Sequence, residues 1–580
     1  MKQESSRRYG LLTMITMVAG ILIGSGIYVK NDQLYEITAS TLISLFAWIF
    51  VGIMVIAMIV NFIEITSSTT IKGEAGTLSA WGTKFIGPKT GKIFGVFIVY
   101  LYFPVINTVL ALYGAEYILS MFADAGLFYQ YGAELGNHSA VMEWTTFLII
   151  TGVGSGFLFL SYMMNSISHK GGKIVQVAGT AIKVIPLFFI VIVVTLFMIP
   201  GIGESLPGIT DPPTNDIAGK DKNPFVLLLF AAPAVMFAFA GFIQPAALSA
   251  EAKDKKTFKR GLVIGTVFTT IIYILFSAAM LSTGAVGPDG EYTFRMTNVI
   301  QSLFPVHYIW IAPLMSSMVV ISIISSLSGH TIVAIRANSS MSETNIVPDV
   351  NGNMISRNKQ GVPQKSGMFV MLITFAWLIL FRSIDAIAVH SQLTHVAASS
   401  SESALRIGHF YSLNYASNLT PLIDFAIYGT LIGAAWWNRK TGNVEVEKQK
   451  GYGIAAFISI TMVIMVLIAQ VAFVLDSAIG SSKDVPTFVA MIPLTTVIIM
   501  SIAFTVAYLV ISAQTKKTTN AQWKSKKEYI KAYQLVLTLE EYRAMVKTNN
   551  KTKAKKKKVI PKKKPISKKP KEKKVSVKKK

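Results

Sequence analysis

The sequence predicts an all-α protein that crosses a membrane many times, on three observations. Of its 580 residues, 52% are hydrophobic and 15% charged, with a mean hydropathy of +0.51. That is too apolar for a soluble multidomain chain. Apolar runs of about 20 residues, enough to cross about 30 Å of hydrocarbon, recur along its length. The connections between alternate runs also differ sharply in Lys and Arg.

Twelve such runs are expected, near 11–29, 38–61, 93–121, 141–163, 174–200, 224–250, 261–285, 306–335, 366–384, 419–437, 452–475 and 485–513. The first has no small-residue cleavage pattern and is read as a span, not a removable signal peptide. Counting Lys and Arg in alternate connections gives 22 on one side and 7 on the other. The excess marks the cytoplasmic side. Both termini are therefore expected in the cytoplasm, with the chain in the plasma membrane.

Residues 1–10 form a short cytoplasmic N-terminus and 11–513 the twelve-helix domain. Residues 514–548 are expected to form an amphipathic helical segment, because Ile530, Tyr533, Val536, Leu539, Tyr542 and Val546 recur at spacings of three and four. Residues 549–580 carry 17 lysines and one glutamate. Such a segment buries too little apolar surface to order itself. Its charge suits anionic lipid headgroups, and nothing in it predicts a specific nucleic-acid partner.

The absence of cysteine excludes disulfides and thiol chemistry. No HExxH, phosphate-cradling GxxxxGK[ST] or serine triad appears, so an enzyme is not expected. His390, His395 and His409 are too irregularly spaced for a metal site, and no metal or cofactor is expected.

Two interruptions sit inside apolar spans. The first is Leu22-Ile23-Gly24-Ser25-Gly26-Ile27, and the second Phe237-Ala238-Phe239-Ala240-Gly241. A helix breaks in a bilayer where the freed backbone groups line a cavity. Amides at the start of the second half-helix suit a carboxylate, and carbonyls freed on the other side of the break suit an ammonium. Close packing of small residues is the competing explanation of the glycines.

Val18-Ala19-Gly20-Ile21-Leu22-Ile23-Gly24-Ser25-Gly26-Ile27-Tyr28 resembles the first-helix signature of the amino acid/polyamine/organocation transporter superfamily. Phe237-Ala238-Phe239-Ala240-Gly241-Phe242 with Glu251-Ala252-Lys253 is similar to its second signature. Arg336, Met341 and Pro348, followed by Gly361-Val362-Pro363, match its third. The resemblance implies a leucine-transporter-type fold, a 5+5 inverted repeat plus two C-terminal helices, with substrate between helices 1, 3, 6 and 8. It implies an amino acid permease working by alternating access. Ser25 and Gly26 would hold the carboxylate; the Leu22 carbonyl and the Phe237 to Ala240 backbone would hold the amine. Phe237 would close over substrate. A polyamine or other organocation substrate, an exchanger, and a membrane scaffold or sensor acting through its tail are the alternatives.

Lys183 lies ten residues beyond Lys173, roughly 15 Å into the membrane. An intramembrane lysine is costly without a cavity or partner, so function is its default reading. The resemblance places it where proton-coupled members carry a lysine against helices 1 and 8, implying a proton gradient as driving force. Sodium through Ser325 and Ser326 is the alternative. His330, roughly 9 Å inside Arg336, is expected on the pathway. Asn107 and Tyr102 are weaker lining residues, and Asp424 is expected near the outer surface. Glu64 and Glu251 are expected at an inner gate. Residues 383–418 read as a long connection, and prolines usual after Glu251 in the family are missing.

Overall fold

The computed structural model describes residues 10–24, 26–68, 77–124, 140–197, 223–243, 253–283, 310–343, 346–347, 349, 352–398, 410–479, 487–522, 544–545 and 547. Every regular element among them is a helix. Ser25, Glu251, Pro348, His409 and the polybasic tail lie outside the described residues, as does most of the expected amphipathic segment.

The first span is two helices, α1 (Leu11–Leu22) and α2 (Gly26–Thr38). α3 (Thr41–Thr66) follows, capped by the Ser40 hydroxyl accepting from the Ile43 amide. After α4 (Leu78–Phe85), the third span runs through α5 (Pro88–Phe97), a π-helical stretch (Ile98–Tyr102) and α6 (Phe103–Asp124). The π stretch has a local cause. Pro104 has no amide to give the Tyr100 carbonyl four residues back, and the indole Nε1–H of Trp377 donates to that carbonyl instead, at 2.8 Å.

α7 (Ala140–Ile167) is the fourth span. The fifth is split into α8 (His169–Ile182) and α9 (Val184–Phe197), with Lys183 at the turn. Pro186 explains the split, since its ring removes the amide that would bond the Ile182 carbonyl. The sixth span opens as α10 (Pro224–Ala238), capped by Asn223, and leaves helical geometry at Phe239. α11 (Lys255–Ser282), α12 (Ile311–Glu343), α13 (Gln364–Ala398), α14 (Tyr411–Thr441), α15 (Tyr452–Ile479), α16 (Thr487–Ala490) and α17 (Ile492–Gln522) complete the bundle.

Among the described residues nine helices are long and apolar enough to cross a membrane. Leu11–Gly20, Val184–Leu196 and Pro224–Ala238 are shorter apolar helices, and these belong to the three interrupted spans. The protein is a multi-pass membrane protein. Exposed apolar side chains such as Ile454, Phe457, Ile468, Ile502 and Leu509 form the outward face of α15 and α17, as lipid contact requires. The third span is the most enclosed, with 83% of its apolar window buried, which makes it the centre of the bundle.

Two expectations are corrected. The connection read at 383–418 is mostly helix, because α13 continues to Ala398. Arg382 and Asp385 pair inside the bundle, and Asp385 accepts from the Ser412 amide at 2.7 Å, binding α13 to the start of α14. Asp424 is not near a surface. It lies 13 residues beyond Tyr411, near the middle of a 31-residue helix, and is 1% exposed.

Candidate functional site

The two predicted breaks meet. A Cβ built on Gly26 would stand 2.5 Å from the Cα of Ala238 and 2.9 Å from its Cβ, so the start of α2 touches the end of α10 through backbone. Gly24 is different: a Cβ there meets only the Leu22 carbonyl at 3.8 Å and the Ser326 hydroxyl at 4.0 Å. One glycine serves close approach, and the other faces space.

Beyond Ala238 the sixth span tightens into turns. The Ala240 amide donates to the Phe237 carbonyl at 3.1 Å and the Phe242 amide to the Phe239 carbonyl at 3.2 Å. Gly241 sits at φ +84°, a backbone conformation that favours glycine. The Phe237 carbonyl, assigned to an amine on resemblance, is thus already engaged by the Ala240 amide and approached by the Phe239 amide.

Tyr273 of α11 joins the breaks. Its hydroxyl donates to the Leu22 carbonyl at 2.8 Å, has the Ala238 carbonyl at 3.4 Å, and accepts from the Gly24 amide at 3.3 Å. Its ring packs against Trp48 at 5.6 Å and Phe239 at 5.1 Å. Sequence reasoning does not find this residue. The available signal is a tyrosine hydroxyl inside Ile271-Ile272-Tyr273-Ile274-Leu275, where a membrane interior obliges it to find a partner.

Lys183 reaches the first break from the fifth span. Its ammonium donates to the Gly20 carbonyl, and its own carbonyl accepts from the Tyr28 hydroxyl. The regular helix partner of the Gly20 carbonyl would be the Gly24 amide, which Tyr273 occupies. The lysine therefore satisfies an acceptor that the break set free. Ser325 is buried against Gly179 of α8, where an added Cβ would meet its hydroxyl at 2.4 Å. Ser326 points its hydroxyl toward Gly24, and its carbonyl lies 2.9 Å from His330 Nδ1. His330 Nε2 has no partner, and its ring faces Phe103 at 6.3 Å.

Asn107 lies elsewhere in the bundle. Its amide donates to the Tyr162 hydroxyl at 2.8 Å, which meets the Thr374 hydroxyl at 2.9 Å, a network that ties α6 to α7 and α13. Ile27 is buried in α2 beside Gly26.

Above Phe237 the buried ammonium of Lys30 stands 4.6 Å from its ring and 5.7 Å from Tyr113. It donates to Gln33, Ser417 and Asn418 at 2.7, 2.7 and 3.0 Å, so it fastens α2 to α14. Near the Lys/Arg-rich end, Glu64 accepts from Arg439 through both carboxylate oxygens, at 2.9 and 2.6 Å, and from the Gln449 amide at 2.7 Å. Bidentate geometry of this kind is the strong form of an ion pair.

The profile of the family described as Amino acid permease matches residues 9–503. The chain belongs to the amino acid permease family. This permease is 23% identical over 496 residues to an uncharacterised protein of Mycoplasma pneumoniae, covering 80% of this chain and 83% of that one. It is 26% identical over 276 residues to the serine/threonine exchanger SteT of Bacillus subtilis, covering 47% and 55%. It is 23% identical over 283 residues to the human cystine/glutamate transporter, covering 49% and 51%. The matches to these two named transporters span about half of each. The two named relatives are an exchanger and a transporter.

Proposed function

We propose that this amino acid permease is a secondary active transporter that moves amino acids by alternating access, driven by a proton gradient through Lys183. Its three interrupted spans and nine full-length helices fit a twelve-span arrangement with a 5+5 inverted repeat and two further helices. The Lys/Arg bias favours cytoplasmic termini in the plasma membrane. In this reading the amides at the start of α2, including Gly26, hold the substrate carboxylate. The carbonyls at the end of α1 and around Ala238 hold its ammonium. Gly24 opens the space between them, with Phe237 above.

The observation that carries this reading is the hydrogen bond from the Lys183 ammonium to the carbonyl freed at Gly20. A protonated lysine there fills an acceptor that a metal cation would otherwise use, which supports a proton in place of sodium at Ser325 and Ser326. Loss of the proton would leave the amine a weaker donor and release the first span from the fifth. Proton binding and the position of the broken helix are then one equilibrium.

Exchange of one amino acid for another is a second reading, favoured by the similarity to SteT. Uptake of a radiolabelled amino acid mixture into proteoliposomes, under an imposed pH or sodium gradient, tests both in the wild type and Lys183→Ala. Uptake that follows the pH gradient and is lost in the variant is the expected result. Sodium-driven uptake overturns the lysine's role, and uptake that needs only internal substrate favours exchange. We assign the lysine-rich tail to anionic lipid headgroups. Deleting 549–580 is expected to leave transport intact while weakening binding to anionic vesicles in a sedimentation assay.

A further inference from the structure

Among the described residues, most buried charges have partners for their polar atoms. Glu64 faces Arg439, Asp385 faces Arg382 and Ser412, and Lys30 spends three donors on Gln33, Ser417 and Asn418. Among the described residues Asp424 has no cationic partner. Its Oδ2 accepts from the Tyr428 hydroxyl, one turn further along α14, and its Oδ1 meets nothing. The Tyr102 hydroxyl, from the π-helical stretch of the third span, is likewise buried without a partner. Among the described residues, Tyr428 is the titratable group hydrogen-bonded to Asp424. The other rings around Tyr428 are Phe62, Phe242 and Phe425, at 5.5, 5.2 and 5.7 Å.

A carboxylate with no cation and an empty lone pair is unfavourable in such surroundings, and taking up a proton is the way such a group becomes neutral. The protonated carboxyl would also carry a donor of its own, which a carboxylate lacks. The position of Phe242 gives the proton an exit. It belongs to the turns that follow α10, so the lid over Tyr428 is part of the interrupted span and not of a continuous helix.

We propose that Asp424, held by Tyr428 and with its second oxygen unpartnered among the described residues, is a second proton-binding site of this permease. The site is loaded while the Phe242 ring packs on Tyr428 and emptied to water when the turns at 239–243 move. On emptying, the carboxyl O–H bond breaks, the proton passes to water, and a solvated carboxylate remains. The proposal rests on the transport reading above, and it adds a group distant in sequence from Lys183.

The test compares wild type, Asp424→Asn and Asp424→Glu. One readout is the ratio of pH-gradient-driven accumulation to gradient-free counterflow of a radiolabelled amino acid mixture in proteoliposomes. The other is the protonated-carboxyl band in infrared difference spectra of the purified full chain, taken in H2O and D2O. Asparagine copies the shape of the neutral carboxyl but cannot release a proton. The expected result is a wild-type band that is missing in Asp424→Asn, with the transport ratio falling at least about tenfold and partly recovering in Asp424→Glu. Wild-type spectra without the band overturn the proposal, because the group is then ionised. A band present in the wild type, with the transport ratio unchanged in Asp424→Asn, overturns it too, because the carboxyl is then a fixed structural donor. Loss confined to cationic substrates overturns it in favour of an ammonium site. Wild-type protein without counterflow of any amino acid removes the transport reading instead. The pH dependence of the infrared band then decides the site by itself, a pH-invariant band overturning it.

Discussion

The contact between Gly26 and Ala238 yields a prediction in which two glycines of one motif fail in different ways. Alanine at Gly26 places a methyl group 2.5 Å from a backbone Cα, and neither backbone can turn aside as a side chain would. Overpacking of this kind costs about 1–3 kcal/mol, equivalent to about five- to 150-fold in an equilibrium. Gly26→Ala is thus expected to lower the melting temperature of the purified protein in detergent and to reduce counterflow within that range. Alanine at Gly24 meets nothing closer than 3.8 Å, so its melting temperature should match the wild type. Its methyl instead enters the space assigned to substrate, and KM should rise. Thermal unfolding measured beside counterflow kinetics in the two variants separates the effects. Equal stability losses, or a larger loss at Gly24, would refute the close approach of the two broken spans.

Tyr273→Phe removes the hydroxyl shared by the Leu22 carbonyl, the Gly24 amide and the Ala238 carbonyl, at a cost of about 1–3 kcal/mol for the buried groups left unpaired; thermal unfolding and counterflow KM should both worsen. Breaking the Glu64–Arg439 pair by Glu64→Gln, with Glu64 fully buried, is expected to cost about 3 kcal/mol. The double variant Glu64→Gln/Arg439→Gln should recover part of that loss, measured by unfolding in detergent. Lys30→Met leaves Ser417 and Asn418 without their donor, so crosslinking between cysteines placed on α2 and α14 should become less efficient.

The spans were legible in the sequence because hydrocarbon thickness imposes a length on every apolar run. The breaks were legible for a related reason: a glycine cluster inside a span frees backbone groups that must find partners outside their own helix. Lys183 was found by depth alone. Tyr273 was not, because a tyrosine in an apolar run gives no sign of which backbone it will meet, and its partners lie 249 and 251 residues away. The 383–418 region misled for a local reason. Arg382 and Asp385 look like a span end, yet they neutralise each other inside the bundle and let α13 run on. The depth of Asp424 was misjudged through the same boundary, since a late start for the tenth span moves every residue in it outward.

The way the breaks are satisfied bears on how they move. In an unbroken helix the Gly20 and Leu22 carbonyls and the Gly24 amide would be held by backbone, which cannot be exchanged without unfolding. Here they are held by the Lys183 ammonium and the Tyr273 hydroxyl, and Lys183 is itself oriented by the Tyr28 hydroxyl. Side-chain donors can rotate away and yield the same backbone atoms to a ligand at little change in the number of hydrogen bonds. That near-balance is the condition for two arrangements of similar free energy, which a substrate or a proton can then bias. It also explains why the lysine must lie in the fifth span and the tyrosine in the seventh. Each ties the first break to a different neighbour, so releasing one frees the half-helix on one side while the other still holds.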